Sequence, residues 1–134
     1  MNVLIIESDK LLATTYARAL HAVGHQPICC TNAQQAIFAA DAHTPDVVLL
    51  ELQLVSHSGI EFLYEFRSYP EWQDIPVIIL SHVPPAEFAD SWEVLSGELG
   101  VTDYLYKPHT TLVKLTETVQ NLQPNLLRSA RAGQ

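Results

Sequence analysis

The chain has 134 residues, of which 48% are hydrophobic and 16% charged; that suits one folded domain and excludes a disordered chain. Seven basic residues face fifteen acidic ones for a formal charge of −8, and two of the basic residues, Arg128 and Arg131, fall in the last dozen positions. An acidic body excludes a broad phosphate-reading surface, and no apolar run nears the roughly 18 residues of a membrane span, so neither nucleic acid nor a bilayer is an expected partner.

The opening Met1–Glu7 has no basic stretch and meets an acid early, so it does not read as a signal peptide. Val3–Ile6 is a continuous apolar run that ends at Glu7-Ser8-Asp9, as a covered strand does. A helical stripe of Leu12, Tyr16, Ala19, Leu20 and Val23 follows and stops at Gly24. Pro27–Cys30 reads as the second strand. Its neighbouring Cys29 and Cys30 cannot staple distant segments and read as buried free thiols in a reducing cytoplasm. Asn32 caps a second helix with Ala33, Ala36, Ile37 and Ala40 inward.

Val47–Leu50 is the third strand, running into Glu51, and Ser58 caps a third helix carrying Phe62, Leu63 and Phe66. Val77–Leu80 is the fourth strand, before Ser81 and His82. Pro84-Pro85 opens a fourth helix with Phe88, Trp92, Leu95 and Leu99 at helical spacing, which places Trp92 in the core. Tyr104–Tyr106 is a short fifth strand ending at Lys107-Pro108. The fifth helix spans about Thr111–Leu122, with Leu112, Leu115, Val119 and Leu122 inward. This alternation predicts a doubly wound α/β fold, a (βα)5 flavodoxin-like sandwich with helices on both faces of a five-stranded parallel sheet. Residues 1–122 form the domain. Residues 123–134 are a short basic tail, either a docking segment or a frayed end, and too short for an output domain.

In such a sheet the working residues stand at the carboxyl ends of the strands. Those positions hold Glu7, Ser8 and Asp9, then Glu51, then Ser81 and His82, then Lys107. Two carboxylates, a hydroxyl and an amine are expected on one rim. No zinc site is expected, because Gly24 separates His21 from His25, while His57, His82 and His109 fall on loops above the rim.

Over residues 2–122 the chain resembles the receiver domain of two-component response regulators. Val3–Asp9 resembles that family's first strand and acidic pair, and Pro45–Leu54 the strand that ends in its phosphoacceptor aspartate. Ser58-Gly59 is similar to the start of its third helix, Pro76–Ser81 to the strand ending in the switch hydroxyl, and Gly100–Pro108 to its last strand. The resemblance implies switch roles for Ser81, Tyr104 and Lys107, and a cis bond between Lys107 and Pro108.

The departures carry the functional expectation. Glu51 stands at the phosphoacceptor position and Ser8 at that of a carboxylate that binds Mg²⁺ directly; His82 and Val55 also depart from the family's pattern. Aspartyl phosphorylation needs hard oxygen ligands and an in-line carboxylate, and a misplacement of about 1 Å costs about 10²-fold. Any Mg²⁺ is therefore expected to bind weakly, at Glu7, Glu51 and Gln53, with no other cofactor. The longer Glu51 carboxylate is instead expected to reach Lys107 and Ser81.

The expected protein is a non-enzymatic, stand-alone cytoplasmic pseudo-receiver. The resemblance implies a protein partner, such as a histidine kinase, another regulator or an output protein, or a second copy, on the face of helix four, strand five and helix five. The rival readings are a receiver that still takes phosphate, on Glu51 or Asp9, and a domain that senses a small ligand over the rim.

Overall fold

The computed structural model describes residues 1–55 and 57–122; the tail at 123–134, with Leu126, Leu127, Arg128 and Arg131, lies outside them. Five strands alternate with helices: β1 (Asn2–Ile6), α1 (Lys10–Ala22), β2 (Gln26–Cys30), α2 (Ala33–Ala42), β3 (Val47–Leu50), α3 (Gly59–Arg67), β4 (Val77–Ser81), β5 (Val101–Tyr106) and α4 (Leu112–Gln120). The strands are all parallel in the order β2-β1-β3-β4-β5. The order reverses between β1 and β3, so their carboxyl ends open onto a crevice.

The apolar runs are continuous because successive side chains feed two cores. Leu4, Ile6, Val48, Leu50 and Ile79 pack toward Ala36 and Ala40 of α2 and Phe62, Leu63 and Phe66 of α3. Val3, Ile5, Val47, Leu49 and Ile78 pack toward Leu20 of α1 and Leu115 and Val119 of α4. Phe66 stacks between Phe62 at 5.3 Å and Trp72 at 5.1 Å. Each such side chain stabilises by about 1.5–3 kcal/mol. Asn32, Ser58 and Thr111 cap α2, α3 and α4, accepting from Gln35 N, Ile60 N and Lys114 N.

Several expectations are corrected. The fourth helix is not an α-helix: Pro85–Ser91 is 3₁₀ and Val94–Glu98 is π-helical. Pro84 and Pro85 remove two backbone donors at its start, no side chain caps either piece, and Ser96 Oγ donates back to Trp92 O at 2.7 Å. The helical stripe drawn through this segment therefore fails at Trp92, which is 38% exposed, while Leu95 and Leu99 are buried. The fifth strand begins earlier, at Val101, because Thr102 bulges where Val77 and Ile78 pair with Val101 and Asp103.

Val23 and Leu112 lie at helix ends and face solvent rather than the core. Cys29 is exposed and only Cys30 is buried, since β2 is an edge strand and its alternate residues point outward. The Lys107–Pro108 bond is trans, with Pro108 in a 3₁₀ turn, Lys107–His109, whose first positions accept the fixed φ of proline.

Candidate functional site

Backbone ladders aim the acids. Glu7 N donates to Cys30 O at 2.9 Å and Glu51 N to Ile6 O at 3.0 Å, which carries the sheet pairing of β1 with β2 and β3 one residue past the strands. Both carboxylates are thereby held in the crevice, each residue 4% exposed. Lys107 arrives from the end of β5 with its side chain only 7% exposed.

The three side chains form a buried triad in which the expected Glu51–Lys107 ion pair is present, joined by a closer contact of Lys107 with Glu7. Lys107 Nζ hydrogen-bonds Glu7 Oε1, and it stands 3.6 Å from Glu51 Oε1 as an ion pair. Glu7 Oε2 accepts from Asp9 N at 3.1 Å, and Glu51 Oε2 turns back to accept from Leu52 N at 3.1 Å. The lysine thus bridges both acids and bonds more closely to Glu7. An added Cβ on Gly59 would lie 2.7 Å from Glu51 O, so only glycine lets α3 start this close to the acid.

Ser8 and Asp9 stand beside the triad with other duties. Ser8 Oγ donates to Thr31 O at 3.1 Å and accepts from Val55 N at 3.2 Å, tying together the loops after β1, β2 and β3. Asp9 caps α1, accepting from Leu11 N and Leu12 N. Both line a rim cavity of about 370 Å³ that is also bounded by Glu7, Glu51, Gln53, Val55, His82 and Lys107.

That donor set does not fit a divalent cation. The ammonium of Lys107 occupies the space between the two acids, and the Ser8 hydroxyl is committed to backbone partners. Gln53 is exposed and pairs with Ser58 in an isolated bridge. No cluster of three His, Cys, Asp or Glu side chains suited to a metal occurs among the described residues. His57 and His109 are exposed, and His57 Nδ1 lies 4.0 Å from Glu61.

Two of the three expected switch residues, Ser81 and Tyr104, converge on one backbone unit. Buried Ser81 accepts from Val83 N at 3.1 Å through Oγ, while Tyr104 OH donates to Val83 O at 2.5 Å. Tyr104 therefore sits turned toward β4, with Phe88 against its ring at 6.2 Å. Burial pushes its phenol up to about 12, with the Ser81 hydroxyl opposing and the charges of Glu51 and Glu87 adding to the rise. The expected reach of Glu51 to Ser81 is not made, because both Glu51 oxygens serve Leu52 N and Lys107.

Sequence reasoning missed Arg67. Its guanidinium is half-buried and donates to Leu99 O, Trp72 O, Ile75 O and Gly100 O, at 2.9, 2.6, 2.6 and 3.3 Å. It ties the end of the irregular segment, before β5, to the turn after α3. No sequence pattern announces an arginine whose partners are all backbone carbonyls.

An acid at the end of β3, an acid at β1, a buried hydroxyl at β4 and a lysine at β5, around the crevice of a β2-β1-β3-β4-β5 parallel sheet, define a receiver-type signalling fold. The profile of the response regulator receiver domain matches residues 3–120. The chain belongs to the response regulator receiver domain family and so to two-component signalling.

It is 32% identical over 107 residues to the KDP operon transcriptional regulatory protein KdpE of Escherichia coli (strain K12), covering 80% of this chain but only 44% of that relative. In structure it is similar to a CheY-like receiver domain protein of Methanospirillum hungatei JF-1, with TM-score 0.82, 16% identity, and 96% and 97% of the two chains covered. It is also similar to the chemotaxis protein CheY4 of Vibrio cholerae, with TM-score 0.78, 18% identity, and 90% and 96% covered. At those identities the structural likeness speaks for the fold alone. Among the described residues no helix is long and apolar enough to cross a membrane.

Proposed function

We propose that this chain is an atypical cytoplasmic receiver that does not take phosphate on an acidic side chain and acts by binding a protein, without turnover. The observation that carries the reading is the Glu7–Lys107–Glu51 triad, in which the lysine already bridges the acids. A phosphodonor would have to displace that ammonium, and Glu51 would have to release Leu52 N, before its carboxylate could align. The triad instead holds the rim in one state.

The face that does the binding comprises the segment Pro85–Glu98, β5 and α4. Its support is the group of large apolar side chains left in solvent there: Trp92 at 38%, Leu112 at 42% and Val113 at 65% exposed. The test is incubation with acetyl phosphate or phosphoramidate and Mg²⁺, read by intact mass. We expect an unchanged mass. A stoichiometric, hydroxylamine-labile phosphate adduct would overturn the reading in favour of a receiver with weakened phosphotransfer.

A further inference from the structure

The face just described carries an asymmetry of charge that narrows what can bind it. The segment Pro85–Leu99 holds Glu87, Asp90, Glu93 and Glu98, all exposed, and no lysine or arginine. Asp103 of β5 and Glu117 of α4 add to the same sign, while Lys114 is the one outward lysine of β5 and α4, since Lys107 is turned inward onto Glu7. Within this acidic surround lies a cavity of about 250 Å³ lined by Pro85, Phe88, Ala89, Trp92 and Tyr104. Every side chain of that lining is apolar or aromatic, and the tyrosine hydroxyl is already spent on Val83 O.

We propose that this cavity receives an apolar anchor side chain from a partner protein segment that is basic on either side of the anchor. The inference rests on the reading that this face binds protein, and it adds the chemistry of the partner. A pocket of that size fits one large aliphatic or aromatic side chain, the usual centre of a protein interface, with charged groups at its rim. Rim acids attract cationic partners and speed their encounter; they repel anionic ones.

The same charges argue against a second copy as the occupant. A two-fold contact through this face would set Glu87, Asp90 and Glu93 near their own equivalents. The segment's lack of capping and the absence of any buried residue in Pro85–Ser91 leave its backbone free to adjust around an inserted anchor.

A fluorescein-labelled amphipathic peptide of leucine and lysine with one tryptophan is the probe, and its glutamate-for-lysine counterpart is the control. Both are titrated against the intact chain at low and at raised salt. Saturable binding of the basic peptide, weakened by salt, with the acidic control inert, is the expected result. Trp92→Ala, and separately Glu87→Lys with Asp90→Lys and Glu93→Lys, should each raise the dissociation constant about tenfold or more. Glu61→Gln with Glu65→Gln, which neutralises acids in the groove between α2 and α3, should leave it within about twofold.

If the α2–α3 variant loses binding as strongly, attraction is general to the acidic body and the proposal falls. Failure of the basic peptide to bind overturns it too. If Trp92→Ala weakens binding but charge reversal does not, the cationic partner is wrong while the binding face survives. If neither variant moves the constant, the face itself is wrong. A dimer in sedimentation that Trp92→Ala dissolves would assign the cavity to a second copy instead.

Discussion

The rim and the segment Pro85–Glu98 are built on opposite plans. At the rim, charges are deeply buried and spoken for: Glu7, Glu51 and Lys107 share one lysine between two acids, and Ser8 joins three loops. In the segment, four acids stand in solvent, no cap closes either helical piece, and cavities of about 210 and 250 Å³ flank the backbone, with Phe88 lining both. One region is held by ion pairs in low dielectric, where breaking a pair is costly, and the other by sparse packing. The contrast is between a rim fixed by buried charge and a segment left adjustable by its packing.

The strongest way to break the comparison is to remove the lysine. Lys107→Ala leaves Glu7 and Glu51 buried and facing each other, and should cost about 3 kcal/mol by urea denaturation. Double-mutant cycles sharpen the point: the coupling of positions 7 and 107 should exceed that of 51 and 107, because only Glu7 receives a hydrogen bond from the ammonium. Equal couplings would mean that the ammonium serves both acids alike. Glu51→Gln should cost less than Lys107→Ala, as it removes one acid and leaves the other still paired.

Arg67 comes next, because it is what anchors the loose segment. Arg67→Ala strands four carbonyls and should cost about 2 kcal/mol. Arg67→Lys should restore little, since one ammonium cannot span the fork that reaches Trp72, Ile75, Leu99 and Gly100. Gly100→Ala should also destabilise. Gly100 has φ of 66°, and an added Cβ would lie 2.5 Å from Arg67 Nη2.

Outside both regions, at the far end of the sheet, a buried titratable ring has its Nδ1 3.1 Å from the N-terminal ammonium. His25 is 3% exposed, and its Nε2 has no hydrogen-bond partner among the described residues. Burial, and behind it the N-terminal ammonium, holds its imidazole below the usual range. The unfolded chain then binds the proton more readily, near pH 6.5, than the folded one does. Stability should therefore be level above about 6.5 and fall as the pH drops through it. His25→Leu should flatten that part of the profile. An unchanged slope would mean the proton goes elsewhere.

How much of this could be read in advance depends on whether the cause is local. The run Val47–Leu50 and the caps Asn32 and Ser58 were legible because a strand's apolar continuity and a cap's side-chain oxygen act within a few residues. That Glu7, Ser8, Glu51 and Lys107 would stand together was legible too, since strand ends gather at one rim. Their wiring was not. Whether Lys107 bonds Glu7 or Glu51 turns on sub-ångström placement at the end of a bulged β5, and Ser8 spends its hydroxyl on residues 23 and 47 positions away. Trp92 was misplaced for a different reason: periodicity assumes 3.6 residues per turn, and the backbone there is 3₁₀ and then π.

That irregular backbone gives the smallest effect and a direct probe of how firmly it is specified. Gly97 lies in the π-helical piece with negative φ, and a Cβ built on it meets nothing within 4 Å. Alanine there loses less backbone entropy on folding, so Gly97→Ala should stabilise by about 0.5–1 kcal/mol and raise helical circular dichroism slightly. A gain of that sign means the segment tolerates a more regular helix, as a sparsely packed element does. A loss would mean that its 3₁₀ and π turns are held by packing as tightly as the triad is held by charge. In that case Trp92 would be exposed by a fixed backbone, and the cavity beside it would present a rigid mould rather than one that closes around its anchor.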